Sequence, residues 1–162
     1  MANILVISDS AAMRNEITGT LTRRGFDTIP CDDGHKAGTL FKEHQPDLVI
    51  SDSQVTSMGI MAITRELRML EAEENLSRTP ILAILDRRPD IFLARRADTD
   101  AWLVKPCNPA ALRWTANTLL DPDKTWTEQN LEAELAGTLE KPTPPITPDE
   151  QTPSEEPAEA PA

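Results

Sequence analysis

Three charged side chains, Asp9, Asp52 and Lys105, have the types and positions that phosphoryl chemistry requires. Each comes at the end of a short apolar run, and continuous apolar runs are typical of strands buried on both faces of a parallel sheet. Ligands and chemistry collect at the carboxyl ends of the strands in open α/β sheets. We therefore expect the two acids and the lysine to meet at one edge of a sheet.

Transfer of a phosphoryl group to a carboxylate needs a nucleophile, a divalent cation and further positive charge. Asp52 could be the nucleophile, Asp9 and Asp52 could hold Mg²⁺ together, and Lys105 could pair with a phosphoryl oxygen. Simpler roles remain open for all three residues. Asp52 could be a solvated loop acid, Asp9 an acid favoured at a helix start, and Lys105 an ion-pair partner that locks an unphosphorylated domain.

Alternating strand and helix patterns across the first 120 residues would position these side chains. The apolar runs predict strands at residues 4–7, 26–29, 48–50, 81–85 and 101–104. Helical patterns follow Ser10, Gly34 and Asn108, and further helices are predicted from Ile60 and over residues 89–96. Five βα units predict the α/β class, with a doubly wound five-stranded parallel sheet covered by helices on both faces.

The formal charge of −11 is distributed unevenly along the chain. Residues 121–162 carry 11 of the 27 acids but only two of the 16 basic residues, so the first 120 residues are almost neutral. No basic cluster indicates nucleic-acid binding. Cys31 and Cys107 lack metal-ligand spacing, as expected for two reduced thiols. Because there is no long apolar stretch and no secretory leader, we expect a cytoplasmic chain without membrane insertion.

The chain divides by composition into residues 1–120, a linker at 121–140 and a tail at 141–162. The tail is mostly Pro, Glu and Thr, and we predict disorder because it cannot bury enough surface to offset the entropy of ordering. In the linker, Thr125 and Glu128 have capping-box spacing, and leucines at 131, 135 and 139 recur every four residues. They predict a short amphipathic helix, which packs back on its own domain, is marginal when free, or docks in a partner's groove.

Four segments, in this order and spacing, make residues 2–120 similar to the receiver domain of bacterial two-component response regulators. The segments are Ile4-Leu5-Val6-Ile7-Ser8-Asp9-Ser10, Pro46-Asp47-Leu48-Val49-Ile50-Ser51-Asp52, Thr79-Pro80-Ile81-Leu82 and Trp102-Leu103-Val104-Lys105-Pro106. The resemblance implies a flavodoxin-like sheet of order 2-1-3-4-5. It also implies a phosphoacceptor rather than an enzyme, with at most self-catalysed phosphoryl transfer and dephosphorylation.

The resemblance further implies roles for individual residues. Asp52 would be the phosphoacceptor for a histidine kinase or phosphotransfer protein. Asp9, Asp52 and the backbone carbonyl of Gln54 would bind Mg²⁺, and Lys105 would contact the phosphoryl group. The family often has a cis peptide bond between this lysine and the following proline, which implies a cis bond between Lys105 and Pro106.

The chain departs from the family's pattern at Ser8, at Leu85, at Trp102 and in the turn after the acceptor, where Met58-Gly59-Ile60 replaces Met-Asp-Gly. The first acid of the metal-binding pair is Ser8 here, so the site has one carboxylate fewer and we expect a weaker affinity for Mg²⁺. The Ser or Thr of the family's conformational switch aligns with Leu85, which cannot donate a hydrogen bond to a phosphate oxygen. The switch aromatic of strand five aligns with Trp102, which is bulkier than the usual Tyr or Phe.

These features favour an atypical, stand-alone receiver in a phosphorelay, which signals to an unknown protein partner through helix four, strand five and helix five. The arginines at 87, 88, 95 and 96 are either a solvated face or part of that contact surface. Ser8 and Leu85 motivate an alternative, a phosphorylation-independent pseudo-receiver that acts as a constitutive protein-interaction module. A nucleotide- or flavin-binding domain of the same fold class is disfavoured because no Gly-rich loop follows strand one.

Overall fold

A parallel sheet of five strands forms the centre of the molecule. The computed structural model describes residues 1–139, so the tail predicted at 141–162 lies outside the described residues. The strands are β1 (Asn3–Ile7), β2 (Asp27–Cys31), β3 (Leu48–Asp52), β4 (Ile81–Leu85) and β5 (Ala101–Val104). Their spatial order is 2-1-3-4-5, and all neighbouring pairs are parallel. The predicted doubly wound sheet is therefore confirmed.

Helices connect the strands and cover both faces of the sheet. They are α1 (Ala11–Thr22), α2 (Gly34–His44), α3 (Ile60–Glu73), α4 (Ile91–Arg96), α5 (Pro109–Leu120) and α6 (Glu128–Leu139). Ser10 and Asn108 cap α1 and α5 as predicted, because their side-chain oxygens accept hydrogen bonds from the backbone N–H groups of Met13 and Ala110. A 3₁₀ turn at Arg88–Asp90 precedes the short α4.

The apolar side chains of the strands alternate between two cores. Those pointing one way pack with α1 and α5, and they are Ile4, Val6, Leu48, Ile50, Leu82 and Ile84. Those pointing the other way pack with α2 and α3, and they are Leu5, Ile7, Val49 and Ile81. Each fully buried aliphatic side chain contributes about 1.5–3 kcal/mol of transfer free energy. The sheet is thus a rigid support for the loops at its carboxyl edge.

Strand β2 runs two residues further than the sequence predicts. Proline in sheets is found at strand ends or on edge strands, and Pro30 lies within this strand, opposite Val6. Strand β2 pairs only with β1, so it is an edge strand. An edge strand accepts proline because one side of its hydrogen-bonding ladder is open.

The predicted amphipathic helix exists, but it begins at Glu128 rather than near Thr125. The Oγ of Thr127, not of Thr125, accepts a hydrogen bond from the backbone N–H of Asn130. Trp126 and Leu131 are only 9% and 7% exposed and belong to the core beside α1 and α5. The sequence left three arrangements open for this helix, and the structure shows it packed on its own domain. The division of the chain at residue 120 stays a prediction.

Two further features complete the described part of the chain. The segment between β3 and α3 forms a small antiparallel ladder, Gln54–Val55 against Met58–Gly59. Among residues 1–139, no helix has the length and apolar character needed to cross a bilayer.

Candidate phosphoacceptor site

The carboxyl ends of four neighbouring strands bring five polar side chains together. We call this group the acid–lysine pocket, and its members are Ser8 and Asp9 after β1, Asp52 at the end of β3, Asp86 after β4 and Lys105 after β5. The parallel register places these strand ends at one edge of the sheet. Asp9, Asp52 and Lys105 therefore lie at the same edge of the sheet, as the sequence predicts.

Asp52 is the most buried acid of the pocket, with only 3% of its surface exposed. Its Oδ1 accepts hydrogen bonds from Lys105 Nζ at 3.0 Å and from the backbone N–H of Gln54 at 3.3 Å. Its Oδ2 accepts hydrogen bonds from Ser8 Oγ and Lys105 Nζ, both at 3.1 Å. A carboxylate has about four acceptor positions. All of them are occupied here, so an incoming ligand must replace at least one of these bonds.

Lys105 lies between two carboxylates. Its Nζ is 2.7 Å from Asp86 Oδ1, which is a shorter distance than either of its contacts with Asp52. Burial alone would lower the pKa of Lys105, but the hydrogen bonds to Asp86 and Asp52 outweigh it and raise the pKa above that of an ordinary lysine. The ammonium group is therefore held charged, and its charge is shared.

Asp9 is exposed, and its carboxylate is held by the segment that follows β3. Its Oδ2 accepts a hydrogen bond from the backbone N–H of Thr56 at 2.8 Å and another from the Thr56 hydroxyl. The hydroxyl bond lowers the pKa of Asp9, with further lowering from the backbone N–H bond. Asp9 is thus ionised and attached to the loop beside Asp52.

Ser8 replaces a carboxylate but keeps a connecting role. It is fully buried, its Oγ donates to Asp52 Oδ2, and the same oxygen accepts a hydrogen bond from the backbone N–H of Ser10 at 3.2 Å. Arg14 donates to the Ser8 carbonyl at 2.6 Å and fixes the loop from α1. The hydroxyl therefore orients Asp52 without adding negative charge.

A close approach of two loops fixes the segment that holds Asp9. A Cβ atom at Gly34 would lie 2.6 Å from the Cβ of Met58, so only glycine fits at the start of α2. The backbone N–H of Gly34 donates to Ser57 Oγ at 2.9 Å. This contact anchors the ladder and places Thr56 over the pocket.

The donor chemistry of the pocket fits a hydrated divalent cation of limited affinity. Mg²⁺ in proteins usually takes one or two carboxylates and keeps several waters. Asp9, Asp52 and the carbonyl of Gln54 would supply that kind of set. Within residues 1–139, no three acidic, histidine or cysteine side chains come together as metal ligands. Asp86 therefore does not restore the carboxylate that is missing at Ser8, because it binds Lys105 instead.

The two divergent switch positions are both packed against apolar or aromatic groups. Leu85 is fully buried in a cluster with Ile60, Ala83 and Ala94. The ring of Trp102 meets the ring of Trp126 edge-on, with 4.8 Å between centroids. Leu85 has no hydrogen-bond donor in its side chain, and the buried Nε1 of Trp102 has no hydrogen-bond partner among the described residues.

Helix α6 covers part of the face formed by α4, β5 and α5. We call this surface the α6-covered face. Trp102 and Thr115 lie on it, and Trp126 and Leu131 of the covering segment pack against it. Trp126 Nε1 donates to Thr115 Oγ1 at 3.2 Å, and Arg88 pairs with Glu128 at 3.0 Å. This is the surface at which the sequence predicts contact with an output partner. Helix α4 still exposes Phe92, at 62%, on its outer side.

Sequence reasoning missed Asp86 and Thr56. Asp86 does carry a sequence signal, since it follows an apolar strand in the same way as Asp9 and Asp52. Thr56 gave no such signal because its contact with Asp9 depends on the fold of the loop. The peptide bond between Lys105 and Pro106 is cis, as the resemblance implied.

Comparisons with known proteins agree with this geometry. Residues 4–117 match the family model of the response regulator receiver domain. The chain is 32% identical to the DNA-binding response regulator MtrA of Mycolicibacterium paratuberculosis, over 67% of this chain and 47% of that protein. It is 28% identical to the chemotaxis protein CheY of Bacillus subtilis, over 64% of this chain and 84% of that one. The chain spans about half the length of the first curated relatives it matches.

Solved structures show the same fold. The chemotaxis response regulator CheY4 of Vibrio cholerae superposes with a TM-score of 0.66 at 26% identity, covering 74% of this chain and 98% of that one. The receiver domain of the sensor histidine kinase PA1611 from Pseudomonas aeruginosa, which has a magnesium ion coordinated in its active-site cleft, also has a TM-score of 0.66. At 22% identity, over 74% of this chain and 97% of that one, it supports the fold alone.

A parallel five-stranded sheet with an aspartate and a lysine joined at its carboxyl edge defines the class of receiver-like α/β proteins. The chain belongs to the response regulator receiver domain family, whose members act in two-component signalling. Receiver domains are phosphoacceptors rather than classical enzymes.

Proposed function

We propose that this chain accepts a phosphoryl group on Asp52 and signals through protein contacts. The observation that carries the proposal is the bond between the buried Asp52 carboxylate and Lys105, at 3.0 and 3.1 Å. In the transfer, an Asp52 oxygen forms a bond to phosphorus while the bond between phosphorus and the donor's leaving group breaks. The leaving group, an imidazole or a carboxylate, keeps the electron pair, and the product is an acyl phosphate.

The residues of the pocket divide the work of this reaction. Lys105 neutralises phosphoryl oxygens, Ser8 and the Gln54 N–H orient the Asp52 carboxylate, and Asp9 with Asp52 and the Gln54 carbonyl would hold Mg²⁺. When bound, Mg²⁺ supplies positive charge to the phosphoryl oxygens. Because Ser8 carries no charge, we expect weaker Mg²⁺ binding than a site with a full acid pair would give.

Mass measurement tests the proposal directly. The full chain is incubated with Mg²⁺ and acetyl phosphate, and its intact mass is followed with time. We expect one added phosphoryl group, which is absent from Asp52→Asn. The matched control is Asp47→Asn, because Asp47 is an exposed acid at the opposite end of the same strand and should not affect labelling. The proposal would be overturned if the wild type is not labelled or if the label persists in Asp52→Asn.

A second function, constitutive interaction without phosphorylation, is favoured by one specific observation. All the acceptor positions of Asp52 are filled by protein groups, and Leu85 offers no hydroxyl to report a phosphate. A pseudo-receiver would bind its partner equally well with Asp52→Asn. Titration of the partner against the wild type and against Asp52→Asn separates the two functions. A weaker affinity of Asp52→Asn for the partner would support phosphorylation-dependent signalling.

The partners that fit this proposal are a histidine kinase or phosphotransfer protein as donor and a protein as output target. Helix α4 is an open part of the α4–β5–α5 surface, where Phe92 is exposed and the guanidinium of Arg96 lies 5.8 Å from its ring. We infer a contact there, and a cytoplasmic location follows from the nature of the donor. The stand-alone organisation stays a prediction.

A further inference from the structure

Asp86 is the one member of the acid–lysine pocket that the proposed reaction does not use. Its carboxylate is 34% exposed and contacts Lys105 at 2.7 Å. The same ammonium reaches both oxygens of Asp52 at 3.0 and 3.1 Å. One positive charge thus serves two negative groups that come from different strands.

Phosphorylation of Asp52 would change the balance within this trio. The acyl phosphate brings about two negative charges into the pocket in place of one. Lys105 must turn toward those oxygens, so its bond to Asp86 weakens. The Asp86 carboxylate then lies beside a group of the same sign, and repulsion between charges a few ångströms apart is substantial in a half-buried site.

We propose that Asp86 is a positioning residue that restrains phosphoryl acceptance by competing with Asp52 for Lys105. In the unphosphorylated protein it draws the ammonium toward β4 and occupies the space beside Asp52 with negative charge. It thereby slows the reaction and lowers the fraction of phosphorylated protein. This inference rests on the proposed function of Asp52.

The test is the rate of labelling by acetyl phosphate in Mg²⁺, measured by intact mass, for wild type and Asp86→Asn. Asparagine keeps the shape of the side chain and removes its charge. We expect labelling to be faster by roughly five- to tenfold, as one like charge at a distance of several ångströms would give. Asp86→Asn with Asp52→Asn must remain unlabelled.

Asp32→Asn is the matched control. Asp32 lies at the same sheet edge after β2 and pairs with Lys36 at 3.1 Å. Its substitution removes an equal charge without touching Lys105, so the labelling rate should stay that of wild type. An equal acceleration in Asp32→Asn would overturn the inference, because the effect would then be one of net charge.

A second readout is independent of phosphoryl transfer. If Asp86 and Lys105 are coupled, Asp86→Asn lowers the midpoint of thermal unfolding by roughly 2–4 °C in the wild-type background and not in Lys105→Met. If Asp86→Asn lowers the midpoint by the same amount in both backgrounds, the proposed competition for Lys105 is overturned, whether or not any label is seen.

The outcomes separate the two proposals. If Asp86→Asn is labelled at the same rate as the wild type or more slowly, the role of Asp86 is overturned and Asp52 remains the acceptor. If neither protein is labelled, the proposed function fails, while a non-additive unfolding shift still supports the shared ammonium.

Discussion

The acid–lysine pocket and the α6-covered face lie on the same domain but are held together by different forces. In the pocket, Asp52 makes four polar contacts, all to groups that can be exchanged for other ligands. On the α6-covered face, Trp126 and Leu131 are removed from water and contact mainly apolar neighbours. Salt screens charge pairing, whereas hydrophobic burial scales with the apolar area removed from water.

This difference assigns separate consequences to the two regions. Substitutions in the pocket should alter phosphoryl acceptance, metal response and dependence on conditions. Substitutions on the α6-covered face should alter the free energy of unfolding and leave the chemistry of Asp52 intact. A variant that does both would show that the two regions are coupled.

The largest effect is expected from Trp126→Ala. Removing a ring that is 9% exposed, contacts Trp102 edge-on and donates to Thr115 should lower the free energy of unfolding by about 3–5 kcal/mol. Urea denaturation measures the loss, and hydrogen exchange should show that α6 loses protection first. The labelling rate with acetyl phosphate should not change.

Phe92→Ala is the control for this prediction. It removes another aromatic ring, but one that is 62% exposed on α4. We expect a change within about 0.5 kcal/mol, as for most exposed sites. Equal losses for both variants would contradict the view that burial beneath α6 is what stabilises this face.

Ser8→Asp should have the next largest effect, and it should depend on metal. A second carboxylate within hydrogen-bonding distance of Asp52 places two like charges in a buried site, so the metal-free protein should lose about 2–4 kcal/mol at pH 7. Mg²⁺ at 100 times its Kd would restore about 2.7 kcal/mol. Thermal unfolding with and without Mg²⁺ measures both changes.

Ser8→Asn provides the uncharged counterpart. It has a similar size and cannot ionise, so its unfolding temperature should respond to Mg²⁺ no more than that of the wild type. If the two variants respond alike, the missing charge at Ser8 is not what limits metal binding.

Cys107 lies between the two regions, two residues after Lys105 and in the core beside α1 and α5. Burial raises its pKa to about 11. Between the pKa of the unfolded thiol and this value, the folded state keeps the proton while the unfolded state loses it. The free energy of unfolding therefore falls as pH rises, by up to about 1.4 kcal/mol per pH unit.

Cys107→Ala removes that pH-dependent loss. The difference in stability between wild type and variant, measured in urea at pH 8 and pH 10.5, should shift in favour of the variant at the higher pH. A difference that is the same at both pH values would show that the thiol titrates alike in the folded and unfolded chain.

The smallest effect belongs to the rim of the α6-covered face. Arg88 is 68% exposed and pairs with Glu128 at 3.0 Å, and exposed ion pairs contribute about 0.2–1 kcal/mol. Arg88→Ala should change the free energy of unfolding by no more than this, and 0.5 M NaCl should reduce the difference further. A loss as large as that of Trp126→Ala would overturn the distinction between rim and core.

Local patterns were enough to predict most of the fold. The apolar run of β4, and the caps at Ser10 and Asn108, fix where elements start because they act over a few residues. The edge position of Asp52 and Lys105 followed from the same patterns. Pro30 is compatible with a strand end or an edge position, and the sheet shows the edge position, because β2 pairs only with β1.

What the sequence did not predict depends on long-range contacts. The pairing of Asp86 with Lys105 joins residues from different strand ends, and that of Thr56 with Asp9 joins two loops. Trp126 stands outside the leucine repeat of the helix, so periodicity gave it no role. It is buried in the core beside α1 and α5, where it contacts Trp102 and Thr115. Such contacts need the folded sheet before they exist.

Helix α6 acts on the α6-covered face as a tethered ligand. Residues 121–127 connect it to α5, and a group held by so short a connection is present at an effective concentration in the millimolar range. Any protein that binds the same surface competes with this internal occupant at every cellular concentration of the chain. The affinity such a partner shows is thus lowered by a factor that depends on this effective concentration and on how tightly α6 itself binds the face.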